Sequence, residues 1–168
     1  MFEIGELIVY GTNGVCRVKD ICPSPFNKDD GRLYYVLEPL HDTSNFVIYS
    51  PIDNSTVIMR RLLSSDRVRE IMSALPDIEM IEVPMEKRRR DVYRDTLQTA
   101  DPMEYIRLIK TVAHRRAEFR RTRRRLPDID NDSEHTARKC VYDEFSAVLG
   151  VCREEINRII TGQFEKAE

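Results

Sequence analysis

Short runs of apolar and β-branched residues occupy the first part of the chain, and a 3.6-residue period replaces them from Ser64 onward. Leu7, Ile8, Val9 and Tyr10 form the first run, closed by Gly11, Thr12, Asn13 and Gly14. Val15, Cys16, Arg17, Val18, Lys19, Asp20 and Ile21 then interleave apolar and charged positions. Asn13-Gly14 between two such runs predicts a hairpin, because both residues tolerate positive φ. A loop punctuated by Pro23, Pro25, Asp29, Asp30 and Gly31 leads to further predicted strands over 33–37, 46–49 and 56–59. Strands this short and this close together cannot cover both faces of an open sheet. Curling into a small SH3-like or Tudor-like β-barrel is the expected solution.

Helical periodicity follows. Val68, Ile71, Met72 and Leu75 share one face behind the capping residues Ser64 and Ser65, and Pro76 stops that helix. Pro84 marks a linker, and a basic helix is predicted from about Glu86 to Leu97. Asp101, Pro102 and Glu104 have the order of a capping box, ahead of a stripe of Ile106, Ile109, Val112, Ala113 and Ala117. Leu126-Pro127 ends this helix. Asp130 or Asp132 opens the next, with Ala137, Val141, Phe145, Val148 and Leu149 facing inward and Gly150 as its C′ residue. A last short helix carries Ile156, Ile159 and Ile160 and is expected to stop at Gly162. The fold class is therefore α+β in two domains, a β-barrel over residues 1–62 and an all-α bundle over 63–168.

Charge sharpens this division. The chain is nearly neutral, with 27 basic and 29 acidic residues, but the charges are segregated. Residues 85–126 hold 14 Lys+Arg against 6 Asp+Glu, and both flanking segments are net acidic. Twelve of those 14 are arginine, whose planar fork fits phosphate bidentately and stays charged at any ordinary pH. The first basic run is Lys87, Arg88, Arg89, Arg90 and Arg94. The second is Arg115, Arg116, Arg120, Arg121, Arg123, Arg124 and Arg125. Solvated helix faces paired with Asp91 and Asp95, or a helix C-terminus rich in cations, are the bland alternatives. Three consecutive arginines cannot all pair at i, i+4, so phosphate contact is favoured and nucleic acid is the expected partner.

Catalytic signatures are missing from the sequence. His41, His114 and His135 lie in separate regions, and no serine or cysteine stands in a nucleophile motif. Cys16, Cys22, Cys140 and Cys152 form no C-x-x-C pair and read as free buried thiols, with no metal site and no cofactor expected. Tyr34, Tyr35 and Tyr49 have the composition of an aromatic cage, but core packing is the favoured reading. No apolar stretch approaches the ~20 residues of a membrane span. The N-terminus lacks a basic region followed by an apolar one. A cytoplasmic protein that is not an enzyme, with no membrane partner and no small-molecule substrate, is expected.

At Phe2, Ile4, Gly5, Ile8, Val9, Tyr10 and Gly14-Val15 the chain resembles the CarD family of bacterial transcription regulators. The likeness continues through Tyr34-Tyr35-Val36-Leu37 and Tyr49-Ser50-Pro51. It extends to the basic segment before Asp101-Pro102 and to Leu126-Pro127-Asp128-Ile129-Asp130. The resemblance implies a Tudor-like domain that docks on the β subunit of bacterial RNA polymerase. It further implies a helical domain touching promoter DNA at the upstream edge of the bubble, so that open-complex stability is modulated without reading an operator. A nucleoid association through polymerase and a monomeric state go with it. The strand Phe46, Val47, Ile48 and Tyr49 is then the polymerase-binding edge, against the alternative of a central strand buried on both faces.

One departure stands out. The family places a tryptophan early in the first basic helix as a minor-groove wedge, and this chain has no tryptophan. Met85 is the candidate substitute, since apolar wedges need not be aromatic. Without it, DNA contact would be chiefly electrostatic. A sequence-tolerant nucleic-acid binder and a protein-interaction adaptor, neither using polymerase, are the competing readings.

Overall fold

Short apolar and β-branched runs build an antiparallel sheet in the first part of the chain. Its strands are β1 (Leu7–Tyr10), β2 (Val15–Pro23), β3 (Leu33–Pro39), β4 (Ile48–Pro51) and β5 (Met59–Arg61). The computed structural model describes residues 1–27, 31–41 and 46–165; the expected loop positions Asp29 and Asp30 lie outside them. The strands lie in the order β4-β3-β2-β1-β5. Tyr35 and Leu37 of β3 point into a cluster with Ile8, Tyr10, Cys16 and Val18. Phe2 closes one end of it, its backbone N–H donating to the Tyr35 hydroxyl at 3.0 Å.

The sheet is open, which corrects the expectation of a closed barrel. Among the described residues no ladder joins edge strands β4 and β5; they approach through the Ser50 hydroxyl and Met59 Sδ, 3.9 Å apart. The Asn54 side chain explains why the last strand is short. Its Oδ1 accepts from the backbone N–H of Thr56 at 3.0 Å, and its Nδ2 donates to the Val57 carbonyl at 2.8 Å. This side-chain turn takes Thr56 and Val57 out of the ladder, so β5 starts at Met59 and not at Thr56.

Five α-helices follow: α1 (Ser65–Ala74), α2 (Arg89–Gln98), α3 (Pro102–Arg121), α4 (Asp128–Leu149) and α5 (Arg153–Glu165). Ser64 caps α1 by accepting from Arg67 N–H, and Asp101 caps α3 by accepting from Met103 N–H. Gly150 ends α4 in the left-handed region, at φ 69°. The basic helix is entered through a 3-10 turn, Glu86–Arg88. Helix α4 begins at Asp128, earlier than predicted, because Pro127 breaks the chain there and Asp130 is buried as an ion-pair acceptor inside the helix. Helix α5 runs through Gly162, which corrects the predicted stop. Continuing the helix buries Phe164 against the main core, with Lys110 over its ring at 5.9 Å. That gain of roughly 1.5–3 kcal/mol for an apolar side chain exceeds the ~1 kcal/mol penalty of an internal glycine.

Helix α3 is the centre of the helical core. Tyr105, Ile106, Leu108, Ile109 and Val112 are all buried, a wider surface than the single predicted stripe, whereas Ala113 and Ala117 are half-buried. The widening follows from what covers the helix. The segment after α1 folds back on it, Ile81 N–H donating to Thr111 Oγ1 at 2.8 Å and Lys110 Nζ to the Ile78 carbonyl at 2.6 Å.

The sheet cluster and the helical core are separate apolar bodies joined by a polar seam. Arg60 of β5 grips Glu144 of α4 with two bonds of 2.6 and 2.8 Å, and its Nε donates to the Ala100 carbonyl at 2.9 Å. Glu144 also accepts from Leu63 N–H at 3.0 Å. Gly14, at φ 77°, lets the β1–β2 connection lie on α4: a Cβ there would sit 3.4 Å from Asp143 Oδ2 and 3.7 Å from the Cys140 backbone.

Candidate nucleic-acid interface and docking edge

The two arginine runs lie far apart in sequence but meet at one end of the helical module. A closed ring of polar contacts holds them. Arg89 donates to Glu86 at 2.9 Å and to the Tyr93 hydroxyl at 2.8 Å. The Tyr93 hydroxyl donates to Asp130 Oδ1 at 3.0 Å, Arg115 Nε donates to the same oxygen at 3.0 Å, and Arg115 Nη2 returns to Glu86 at 3.0 Å. Both arginines help hold the Glu86 carboxyl below the ordinary carboxylate range, the Arg89 hydrogen bond most strongly. Burial, with the Asp130 charge beside it, pushes the Tyr93 hydroxyl up to about 12. The ring is a fully partnered network, which fixes the entry of α2 against the second half of α3 and the start of α4.

The ring divides the predicted phosphate-binding residues in two. Arg89 and Arg115 are buried or nearly so and belong to the fold. Arg116 pairs with Glu134, Arg94 with Asp91 and Asp95, and Arg125 with Asp128. The exposed side chains of Lys87, Arg88, Arg90, Arg120, Arg121 and Arg123 make no hydrogen bond or ion pair among the described residues. Arg124 rests over Phe119 at 5.0 Å, on the same ring that Arg115 covers at 5.1 Å. Phe119 is thus a spacer between the structural arginines and the free ones. Sequence reasoning passed over it because it stands outside the apolar stripe.

The end of α3 has an uncommon backbone. Arg124 N–H bonds the Phe119 carbonyl at 2.8 Å and Arg123 N–H bonds the Arg120 carbonyl at 3.1 Å, the paired bonds of a Schellman ending. Its left-handed position, φ 54°, is filled by Arg123 and not by glycine. Met85, 48% exposed, immediately precedes the Glu86–Arg88 turn and so stands beside the free cations of the first run.

On the sheet, β4 is an edge strand paired with β3 alone among the described residues, Val36 opposite Tyr49 and Leu37 opposite Ile48. The predicted strand 46–49 is displaced to Ile48–Pro51, and Phe46 and Val47 precede it. Ile48 packs against the sheet core, while Phe46 and Tyr49 are exposed. Tyr35 is in the core, on the face opposite Tyr34 and Tyr49, so the three tyrosines make no cage. The outer face instead carries Phe26, 75% exposed, edge-on to Tyr34 at 6.0 Å and to Tyr49 at 5.8 Å. Phe26 lies in a proline-flanked loop with no periodicity to single it out.

Residues 2–63 match the family model of the CarD-like/TRCF RID domain. They take in the entire sheet and stop short of α1. This segment is a CarD-like RNA polymerase-interacting domain. The matched domain belongs to an interaction family that engages RNA polymerase. The match leaves out the helices that follow the RNA polymerase-interacting domain, and no curated protein sequence matches the chain.

Other chemistry is sparse. Among the described residues no group of three His, Cys, Asp or Glu side chains could hold a metal, and no helix is long and apolar enough to cross a membrane. All four cysteines are free. Cys16 and Cys140 are buried, and burial pushes both thiols up to about 12, away from reactive thiolate character. Cys22 is half-buried and Cys152 exposed, which corrects the expectation that all four are buried. Cys152 occupies the connection between α4 and α5.

Proposed function

We propose that the chain docks on the β subunit of RNA polymerase through residues 1–62 and lays the helical module, residues 63–168, on promoter DNA. Docking would use the free edge of β4 for strand addition, with Phe46, Val47 and Tyr49 supplying side-chain contact and Ile48 holding the strand to its core. Lys87, Arg88, Arg90, Arg120, Arg121, Arg123 and Arg124 would contact phosphates. Met85 would stand at the minor groove as the apolar wedge. Arg89 and Arg115 would act indirectly, by holding the two runs together.

The observation that carries this reading is the shared end of the helical module: unpaired cations of both runs flank one internally neutralised ring. Phosphate contacts of this kind position a protein without reading sequence, so selectivity would come from polymerase. Tethering raises the local concentration of a weak DNA binder, and the protein would stabilise whichever promoter state presents polymerase edge and phosphates together. The test is open-complex lifetime on a promoter, with wild type, an Arg88→Ala/Arg90→Ala variant and a Tyr49→Ala variant. Wild type should change the lifetime and both variants should lose that effect. An unchanged lifetime with wild type rules the mechanism out.

A further inference from the structure

A second cationic feature lies away from the arginine ring. The sheet module meets α4 and α5 around a cleft of about 490 Å3. His41 lines it from the sheet side, His135, Arg138 and Lys139 from α4, and Arg153 and Asn157 from α5. Among the described residues, three cations thus line the cavity against one lining carboxylate, Glu154. Glu134, outside the lining, pairs with Arg138, and Asp143 lies behind Arg153. The volume falls within the ~300–1,000 Å3 of ordinary ligand sites.

Several donors there are unspent. Lys139 makes no ion pair among the described residues. Asn157 Oδ1 already accepts from Tyr142 at 2.9 Å, Thr161 at 3.1 Å and Arg138 at 3.2 Å, while its Nδ2 has no acceptor. Arg153 Nε lies 3.0 Å from Asp143 Oδ1, a charge contact without hydrogen-bond alignment, and both buried atoms lack a hydrogen-bond partner. Asp143 is 1% exposed, and its unmet oxygen is an acceptor served, among the described residues, only by the cationic groups around it, Arg153 at 3.0 Å and His41 at 3.8 Å. The unspent donors, and not this oxygen, therefore speak for an anion. An anion entering the cleft would find the free lysine, the amide N–H groups of Asn157 and the Arg153 guanidinium.

We propose that this cleft binds a small phosphate-bearing anion of up to nucleotide size, at the seam between the two modules. Planar guanidinium groups and a point-charge lysine together match the geometry and charge of a phosphate. Concavity favours a small ligand over duplex DNA, whose phosphates run along an exposed ridge. Because His41 and the α4–α5 residues lie on opposite sides of the seam, a bound anion would also draw the modules together.

Isothermal titration of the whole chain with inorganic pyrophosphate, and separately with ATP, tests this. Saturable binding of either is expected, and which one binds tells free phosphate from nucleotide. Lys139→Ala should weaken binding about tenfold, the loss expected for one charge-assisted contact. Arg88→Ala, at the proposed DNA end, should leave it unchanged. Amide shifts at His135, Lys139 and Asn157 on titration give a readout that does not depend on any variant folding. The proposal is overturned if neither anion saturates, or if Arg88→Ala abolishes binding that Lys139→Ala leaves intact. Open-complex lifetimes are untouched by that failure, so the two readings fall separately.

Discussion

Arg115 and Glu86 meet at 3.0 Å across 29 residues of sequence, and this pair decides which arginines the protein keeps for itself. Arg115 also holds Asp130, which is fully buried. Arg115→Ala should therefore leave a buried carboxylate short of its cation, at a cost of about 3–5 kcal/mol. Arg88→Ala removes an exposed side chain with no partner and should change stability by less than about 0.5 kcal/mol. Denaturant unfolding of the two variants checks the contrast. Equal destabilisation would show that the ring does not organise this end.

DNA binding by the free protein should be weak and steeply salt-dependent. Removing one phosphate-binding cation should lower the slope of log affinity against log salt by about 0.9. Arg88→Ala/Arg90→Ala should thus flatten the slope by roughly twice that amount, while Arg94→Ala, whose side chain already pairs with Asp91 and Asp95, should change it far less. Fluorescence titration of a labelled duplex at several salt concentrations measures both. An affinity indifferent to salt would sink the arginine assignment.

Much of this architecture is visible in the residues themselves, because the features concerned are local. Ser64, Asp101-Pro102 and Gly150 act as caps through bonds to neighbours a few positions away, and the change of period at Ser64 follows from side-chain spacing. What was not legible depends on distant partners. Asp130 has the composition of an N-cap, and only its contact with Tyr93 and Arg115 shows that it lies inside α4. Gly162 is a poor helix residue locally, but Phe164 has a core to reach. The same limit applied to the arginines. Counting charges cannot tell a guanidinium locked to Glu134, like Arg116, from a free one like Arg120. The open sheet was missed for a different, local reason: the Asn54 side-chain turn competes with the ladder at Thr56 and Val57.

Two buried carboxylates on α4 should respond to pH with opposite signs. Burial pushes Glu134 up, but Arg116 and Arg138 outweigh it and hold its carboxyl below the ordinary range. Its contribution to stability is complete above the unfolded value of about 4.3 and is lost as pH falls through the lowered folded value. Burial dominates at Asp143 and holds it above the ordinary range despite Arg153, His41 and Lys139. Its contribution is complete below the unfolded value of about 3.9 and is lost as pH rises through the raised one. Thermal melts should show Glu134→Gln destabilising at neutral pH, with the gap closing in acid. Asp143→Asn should melt above wild type at neutral pH, and that gap too should close in acid. A lower melting temperature for Asp143→Asn at neutral pH would mean that the Arg153 contact outweighs burial.

Arg123 separates stability from function. A non-glycine residue in the left-handed region costs roughly 1 kcal/mol, and the Schellman ending of α3 would take glycine without strain. Backbone strain of this size persists where the side chain has another use, and Arg123 is exposed and unpaired beside Arg124. Arg123→Gly should therefore raise stability by about 0.5–1 kcal/mol while weakening DNA binding and flattening its salt slope by about 0.9. Denaturant midpoints and duplex titrations on the same preparation test the two halves together. Stabilisation with unchanged DNA affinity would remove Arg123 from the interface and leave its strained backbone without a functional reason.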